Sequence, residues 1–156
     1  MSYVEHSNMT VKDLDKTTEF LLLALPDWRI RGGSDGGDRR WRHVGNDTSY
    51  IALEEAREPG DLRTIRKFYR QEGINHIGIV VEDVDAVTAR LEAAGFTHSI
   101  PTKVNGFRKR TYFYDSDTVE WEFIQYTSDK MEERNSYTEE EKEVATGSGS
   151  GDASKK

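Results

Sequence analysis

Apolar positions alternate at Ile77, Ile79 and Val81, then recur at Val84, Val87, Leu91 and Ala94. The first spacing is that of a strand, here carrying His76, and the second is that of an amphipathic helix. Asp83 stands where an N-cap belongs, because its carboxylate can accept the unpaired N–H groups of a first turn. Gly95 stands where a left-handed residue would end the helix. The same order occurs earlier in the chain. Tyr3–Val11 alternates, with Ser7, Met9 and Val11 on one face and Val4, His6, Asn8 and Thr10 on the other. A helix is expected after Asp13, with Leu14, Thr17, Leu21 and Ala24 on one side and an end near Pro26. Trp28–Arg31 reads as a second strand and GGSDGGD as a glycine-rich hairpin tip. Arg39–Val44 and Ser49–Leu53 read as two further strands joined through Gly45-Asn46-Asp47. The first half is therefore β-α-β-β-β.

Shifting the sequence by 70 positions sets His6 on His76, Met9 on Ile79, Val11 on Val81, Asp13 on Asp83 and Leu21 on Leu91. The same offset sets Arg39-Arg40 on Lys109-Arg110, Asn46-Asp47-Thr48 on Ser116-Asp117-Thr118, and Leu53 on Phe123. Two halves sharing period, turn and polar markers at one offset indicate an internal duplication. The expected architecture is α+β: two tandem βαβββ modules forming a curved eight-stranded mixed sheet around a central cup. Residues 1–128 form the domain, with module one over about 3–54, a linker over 55–73, and module two over about 74–126. Leu62, Ile65, Phe68 and Tyr69 lie at helical spacing within the linker. From Asp129 to Lys156 the chain turns acidic and then Gly/Ser-rich, a composition too polar to pack, and is expected as a mostly disordered tail.

Composition narrows the function. The formal charge of −7 argues against binding nucleic acid through phosphate contacts. With eight acids and five bases from Thr127 onward, the rest of the chain carries 21 acids against 17 bases, about −4. The absence of cysteine excludes disulfides and thiolate metal sites. No apolar run approaches a membrane span, and MSYVEHSN lacks a signal-peptide pattern, so a cytoplasmic protein is expected.

Strand alternation then selects the chemistry. If Ile77, Ile79 and Val81 face the helix, His76, Gly78 and Val80 face the opposite side. In the last strand Val119, Trp121 and Phe123 go to the core, while Glu120, Glu122, Ile124 and Tyr126 go to the other face. Two modules side by side would gather His6, His76 and Glu122 on one concave surface. Two imidazoles and a carboxylate form a facial ligand set with open positions for a divalent metal. Taken singly, each has a plainer reading: a surface histidine, a satisfied core histidine, an exposed strand glutamate. Asn8, Tyr50, Arg110, Tyr112 and Tyr126 are candidates to line the pocket, with Tyr114 as a further tyrosine. Arg39, Arg40 and Arg42, with Arg108, Lys109 and Arg110, form a doubled basic rim. It either holds an anionic substrate or keeps strand ends solvated, and the second is favoured. His43 and His98 lack equivalents under the offset, where they meet Phe113 and Trp28, and read as surface or rim residues. Pro101–Phe107 reads as a flap loop, and GGSDGGD precedes no helix, which excludes a P-loop.

The stretches NHIGIVVEDVDAVTARLEAAGF and YDSDTVEWEFIQY resemble the second module of the vicinal oxygen chelate superfamily. That group contains glyoxalase I, extradiol dioxygenases, methylmalonyl-CoA epimerase, fosfomycin-resistance enzymes and bleomycin-resistance proteins. The resemblance covers residues 3–126. It implies paired βαβββ modules and a divalent metal (Fe, Mn, Ni or Zn) held by His6, His76 and Glu122. It also implies a homodimer, since such modules often exchange partners between subunits. The fourth ligand of the glyoxalase I and epimerase types would fall at Ala52, which cannot ligate. Glu54 lies two residues on, facing the same way. The chain thus resembles the three-ligand members.

Three readings follow. The first is a metal-dependent isomerase, lyase or dioxygenase acting on a small oxygenated substrate, with Glu54 or Glu120 as general base. The second is a metal-free protein that sequesters a small molecule, as the bleomycin-resistance type does. The third is a regulatory module that keeps the ligands as relics.

Overall fold

The computed structural model describes residues 3–36, 40–58, 69–71 and 73–136. In module one, β1 (His6–Val11), α1 (Leu14–Ala24), β2 (Arg29–Ser34), β3 (Trp41–Gly45) and β4 (Tyr50–Glu55) follow in order. Module two repeats them as β5 (His76–Val80), α2 (Val84–Ala93), β6 (His98–Asn105), β7 (Arg108–Tyr114) and β8 (Glu120–Tyr126). Each module makes its own four-stranded mixed sheet, in the orders β1-β4-β3-β2 and β5-β8-β7-β6, with the first and last strand of each module parallel.

Both helices start as the sequence predicts. Asp13 accepts the N–H of Lys16, and Asp83 accepts those of Asp85 and Ala86. The bond from the Lys16 amide holds the Asp13 carboxyl below its usual range. Gly95 follows α2 at φ +85°, as a left-handed terminator should. The second acid of each D-x-D ties its helix to the third strand of its module. Asp15 meets Arg40 and Arg42 at 2.9 and 2.6 Å, and Asp85 meets Lys109.

The core-facing residues of both sheets share one cluster. Val11, Leu14, Phe20, Leu21, Val44 and Leu53 of module one pack with Val87, Leu91, Phe113, Trp121 and Phe123 of module two. Phe20 is the crossing point, edge-on to Phe96 at 4.9 Å and within 6.4 Å of Trp121 and Phe123. Both ends of α1 are stitched to module two. Arg90 donates to the carbonyls of Leu23 and Ala24, and Asp117 accepts the N–H groups of Lys12 and Asp13. Since the helix-covered faces share this interior, the concave faces of the two sheets look outward.

The duplication is real but not gapless. Pairings His6↔Tyr50 and Asn8↔Ala52 recur as His76↔Glu120 and Gly78↔Glu122, an offset of 70. Along the third strands the match is instead Val44↔Ile51 against Phe113↔Trp121, so β3 and β7 align at 69. The extra residue sits in the turn before β8. Asn46 Oδ1 accepts from Thr48 and Ser49, whereas Asp115 Oδ1 accepts from Asp117 and Val119, with Thr118 left-handed at φ +67°. The two side chains do the same work, so Asn46 corresponds to Asp115.

Three local expectations change. Gly32–Ser34 continues β2 rather than forming a hairpin tip; a Cβ at Gly33 would come within 2.6 Å of the Trp41 carbonyl, so close strand approach explains that glycine. Pro101–Asn105 belongs to β6, with the chain reversing at Gly106-Phe107, so the expected flap is the end of a β-hairpin. The segment expected as a tail begins with one helical turn, α3 (Met131–Arg134), tied to β7 by Arg108 donating to the carbonyls of Arg134 and Ser136. The expected linker helix residues Leu62, Ile65 and Phe68, Arg39 of the basic rim, and residues 137–156 lie outside the described residues. Within the described residues, no helix is long and apolar enough to cross a membrane.

Candidate metal centre

The parallel pairing of β5 with β8 sets His76 beside Glu120 and Gly78 beside Glu122, all on the face away from the helices. Gly78 has no side chain, and the Glu122 carboxylate folds over it; a Cβ there would lie 3.3 Å from Oε2. His76 Nε2 consequently stands 3.2 Å from Glu122 Oε2. Two donors bound at right angles to one divalent ion, each about 2.1 Å from it, are about 3 Å apart. The pair therefore has the spacing of neighbouring ligands on a single ion.

The rest of this face fixes those two groups. Glu122 Oε1 accepts from the Tyr112 hydroxyl at 2.5 Å and has an Arg110 nitrogen at 3.8 Å. Burial, reinforced by the bond to Glu122, pushes the Tyr112 hydroxyl up to about 12, so it stays protonated and donates. Glu120 accepts from the hydroxyl of Tyr69, and that hydroxyl is also 3.0 Å from His76 Nδ1. Burial pushes the Tyr69 hydroxyl upward, with Glu120 adding to it. Glu120 and Glu122 are only 4% and 7% exposed. Two buried carboxylates and an imidazole are a costly arrangement unless a cation joins them. His76 Nε2 and Glu122 Oε2 fit two positions on a divalent metal.

The face of module one is built differently. The His6 ring stacks on Tyr50 at 4.7 Å, and its Nδ1 lies 3.0 Å from Glu5 Oε2. His43 lies between Tyr50 and Trp41 with ring centroids 4.7 and 4.8 Å away, and the Arg31 guanidinium sits 4.5 Å over Tyr50. Asn8 donates to Glu54 at 3.2 Å. Asn8, Trp41, His43, Ala52 and Glu54 line a hollow of about 260 Å³. Ala52 does occupy the place that Glu122 has in module two, and it supplies no ligand. His43, expected as a surface or rim residue opposite Phe113, is instead part of this face. The one-residue slip aligns it with Tyr112, and burial together with the charge of Arg31 lowers its pKa. The signal was present in the turn, because matching Asn46 to Asp115 rather than Ser116 gives that alignment.

Of the expected ligands, the structure brings His76 and Glu122 together and leaves His6 on the other module's face. Among the described residues no three of His, Asp and Glu gather at metal-binding spacing. The basic rim divides similarly. Arg40 and Arg42 are committed to Asp15 and Asp35, with Glu55 also on Arg40, while Lys109 is committed to Asp85; among the described rim residues, Arg110 adjoins the centre. His98 bonds Glu92 at 3.0 Å and packs on Phe113, a link between β6, α2 and β7. Tyr126 lies under the Arg134 guanidinium at 5.0 Å, and Tyr114 is partly exposed. Sequence reasoning missed Tyr69, because nothing in a polar linker marks a residue that reaches a strand 51 positions away.

β1 and β5 are outer strands of their sheets. A groove of about 720 Å³ runs between them, with Glu5, His6 and Tyr50 on one wall and Gly78, Val80 and Arg90 on the other. Val4, Ile74 and Val80 are exposed along these edges.

Residues 3–123 match the family model of the Glyoxalase/Bleomycin resistance protein/Dioxygenase superfamily. Among solved structures, the glyoxylase/bleomycin resistance protein/dioxygenase domain from Frankia sp. EAN1pec is 25% identical at a TM-score of 0.65, covering 81% of this chain and 98% of its own. The fosfomycin resistance protein FosX from Listeria monocytogenes, complexed with Mn(II) and sulfate, is 27% identical at a TM-score of 0.60, covering 86% and 95%. FosX from Mesorhizobium loti shares the fold at 21% identity and a TM-score of 0.61, covering 86% and 97%. No curated protein matches the chain in sequence.

Proposed function

The chain belongs to the Glyoxalase/Bleomycin resistance protein/Dioxygenase superfamily, and from that premise we propose that it is a metal-dependent enzyme acting on a small oxygenated substrate. The observation that carries this is the pair His76 Nε2 and Glu122 Oε2, 3.2 Å apart on a buried, tyrosine-lined face. When bound, a divalent metal would supply Lewis-acid stabilisation of negative charge on two neighbouring substrate oxygens, chemistry that serves isomerase, lyase, ring-cleaving or ring-opening reactions. Mn²⁺ is the first ion to try, since the Listeria FosX structure holds it.

His6 completes the set from a second copy of the chain. β1 and β5 are edge strands flanked by exposed Val4, Ile74 and Val80, features that an edge-to-edge homodimer would cover. In such a dimer, module one of one subunit faces module two of the other across each cup. Tyr112 holds Glu122 in its ligand orientation by donating to Oε1. Arg110, next to that carboxylate, is suited to an anionic substrate group. Glu54, oriented by Asn8 on the opposite wall, is the general base.

The test has two parts. Untagged protein is analysed for metal and melted with Fe²⁺, Mn²⁺, Ni²⁺ and Zn²⁺, alongside His76→Ala. Stoichiometric metal that is lost in the variant supports the reading, and no metal with no thermal shift overturns it. His6→Ala and His76→Ala are then unfolded together and refolded as a mixture. A site shared between subunits regains about one quarter of the Mn²⁺ capacity, because half the dimers are mixed and each holds one intact site. A site within one chain regains none. The alternative, metal-free sequestration of a small molecule, is favoured by Ala52 and the stacked His6–Tyr50–His43 face. It predicts tight binding of an aromatic ligand in protein stripped by chelator.

A further inference from the structure

We propose that Tyr69 and Glu120 are positioning residues that fix the tautomer of His76, presenting an unprotonated Nε2 on the side of Glu122. The inference rests on the metal-dependent reading above and assigns Glu120 to orientation rather than to proton transfer.

The Tyr69 hydroxyl has one proton, and it is donated to Glu120 Oε2, since a carboxylate can only accept. An ordinary phenol keeps that proton at neutral pH. With its proton committed, Tyr69 Oη can only accept from its other neighbour, His76 Nδ1 at 3.0 Å. Nδ1 therefore carries the ring hydrogen, and in a neutral imidazole Nε2 is left with its lone pair. Glu120 Oε2, 3.6 Å from Nδ1, sets its negative charge behind the same nitrogen. On the far side of the ring, Nε2 confronts Glu122 Oε2 at 3.2 Å. Two lone pairs at that distance repel unless a metal ion or a ring proton lies between them. A metal-binding histidine needs this state, and hydrogen-bond partners on the distal nitrogen both set it and raise ligand basicity.

Two further observations point the same way. The other histidine of the set is held likewise, His6 Nδ1 lying 3.0 Å from Glu5 Oε2. Glu5 and Glu120 are not equivalents in the duplication, for the offset sets Asn75 against Glu5 and Tyr50 against Glu120. The same restraint on Nδ1 thus comes from different residues in each module, which inheritance from a common half does not explain. Tyr69 is also held in place. Its backbone is left-handed at φ +60°, uncommon for a bulky residue, and its N–H donates to the Asn75 side chain at 2.8 Å. The residue preceding His76 anchors the linker turn that delivers the hydroxyl.

The experiment uses the full chain in metal-free form with ¹⁵N-labelled histidine, and compares wild type with Tyr69→Phe, Glu120→Gln and Glu120→Asp. Long-range ¹H–¹⁵N spectra report which ring nitrogen of His76 carries hydrogen, with His76→Ala giving the assignment. With the ring neutral, the wild type is expected as the Nδ1–H tautomer, with Tyr69→Phe and Glu120→Gln moving population to Nε2–H and Glu120→Asp restoring it in part. Mn²⁺ titration followed by electron paramagnetic resonance should show affinity about 10–100-fold weaker in Glu120→Gln. An Nε2–H tautomer in the wild type, or a tautomer unmoved by Tyr69→Phe, overturns the proposal even if Mn²⁺ binds. Tyr69→Phe keeps the ring and removes only the hydroxyl, so it decides the matter if Glu120→Gln fails to fold. A wild type that shows the Nδ1–H tautomer yet binds no Mn²⁺ sinks the metal-dependent reading and leaves the positioning intact.

Discussion

Glu122→Gln separates what the buried carboxylate does for a metal from what it does for the fold. In the metal-free protein the substitution removes one of two carboxylates that are nearly sequestered from water, 7% exposed beside Glu120 at 4%. Relief of that burial favours the variant. Against it stands the bond from the Tyr112 hydroxyl, 2.5 Å long and charge-assisted, which weakens when the acceptor becomes an amide oxygen. Each effect is about 1–3 kcal/mol and they oppose one another, so the metal-free stability should change by no more than about 1 kcal/mol. With metal the balance is one-sided. At an ion concentration one hundred times the dissociation constant, linkage stabilises the native state by about 2.7 kcal/mol. That stabilisation corresponds to a rise of about 10 °C in Tm for a domain of this size. The amide is a poor ligand for a divalent ion and should forfeit most of the rise. The assay is paired calorimetric melting of wild type and variant, each with chelator and with saturating Mn²⁺. A variant that keeps the full Mn²⁺ shift would refute the assignment of Glu122. A variant that loses more than about 3 kcal/mol in chelator would refute the claim that the carboxylate is a burden on the empty protein.

Three other substitutions examine the frame. Gly78→Ala brings a methyl within 3.3 Å of Glu122 Oε2 and of Ile124 Cδ1; Mn²⁺ affinity should fall about tenfold by titration, with urea unfolding changed by less than about 1 kcal/mol. Phe20→Ala opens a cavity where the two modules meet and should cost about 3–5 kcal/mol by urea unfolding, whereas a loss below 1 kcal/mol would mean the modules do not share that core. Asp115 is raised by burial to about 6, against the 3.8 of an exposed aspartate, although Trp121 Nε1 and the N–H groups of Asp117 and Val119 all donate to it. The folded state therefore holds its proton more tightly than the unfolded state, so this group's contribution is complete below about pH 4 and is lost as pH rises through 6. It amounts to about 3 kcal/mol; Asp115→Asn should lack that slope, so the difference between the two stability curves changes over pH 4–7, and parallel curves would refute it.

Most of the fold was legible because it rests on signals local to each element. The alternation in β5 and β8, the paired Asp caps and Gly95 are decided within a few residues, and each was read in agreement with the structure. The errors arose where position depends on the partner strand. A gapless offset could not register one extra residue inside the Asp115–Val119 turn, and since strand faces alternate with period two, that single step moved His43 from the rim onto the concave face. The arginines of the third strands were visible as a basic group, but their ion-pair partners on α1 and the β2–β3 connection depend on which way each strand edge turns. Tyr69 was invisible as a functional group for the opposite reason. Its N–H bonds the Asn75 side chain across a turn that has no periodic signature.

On the reading proposed above, the two modules divide one task between them, and the exchanges at equivalent positions indicate how. At the two places on the last strand that face the first, module two has Glu120 and Glu122 while module one has Tyr50 and Ala52. At the facing place on the third strand, module two has Tyr112 and module one has His43. The two exchanges on the last strand give module two its buried carboxylates, and module one is left a flatter wall of stacked rings with Arg31 above it. A chain with two identical half-sites would carry four buried carboxylates per chain, each needing a cation. Losing one pair leaves a single cation site per chain and frees the other face to meet the organic part of a substrate. The remaining imidazole of module one, His6, then has a role only if its wall closes over the carboxylates of another module. On the reading proposed above that module belongs to a second copy, and the complementation of His6→Ala by His76→Ala becomes the measurement on which the division of labour stands or falls.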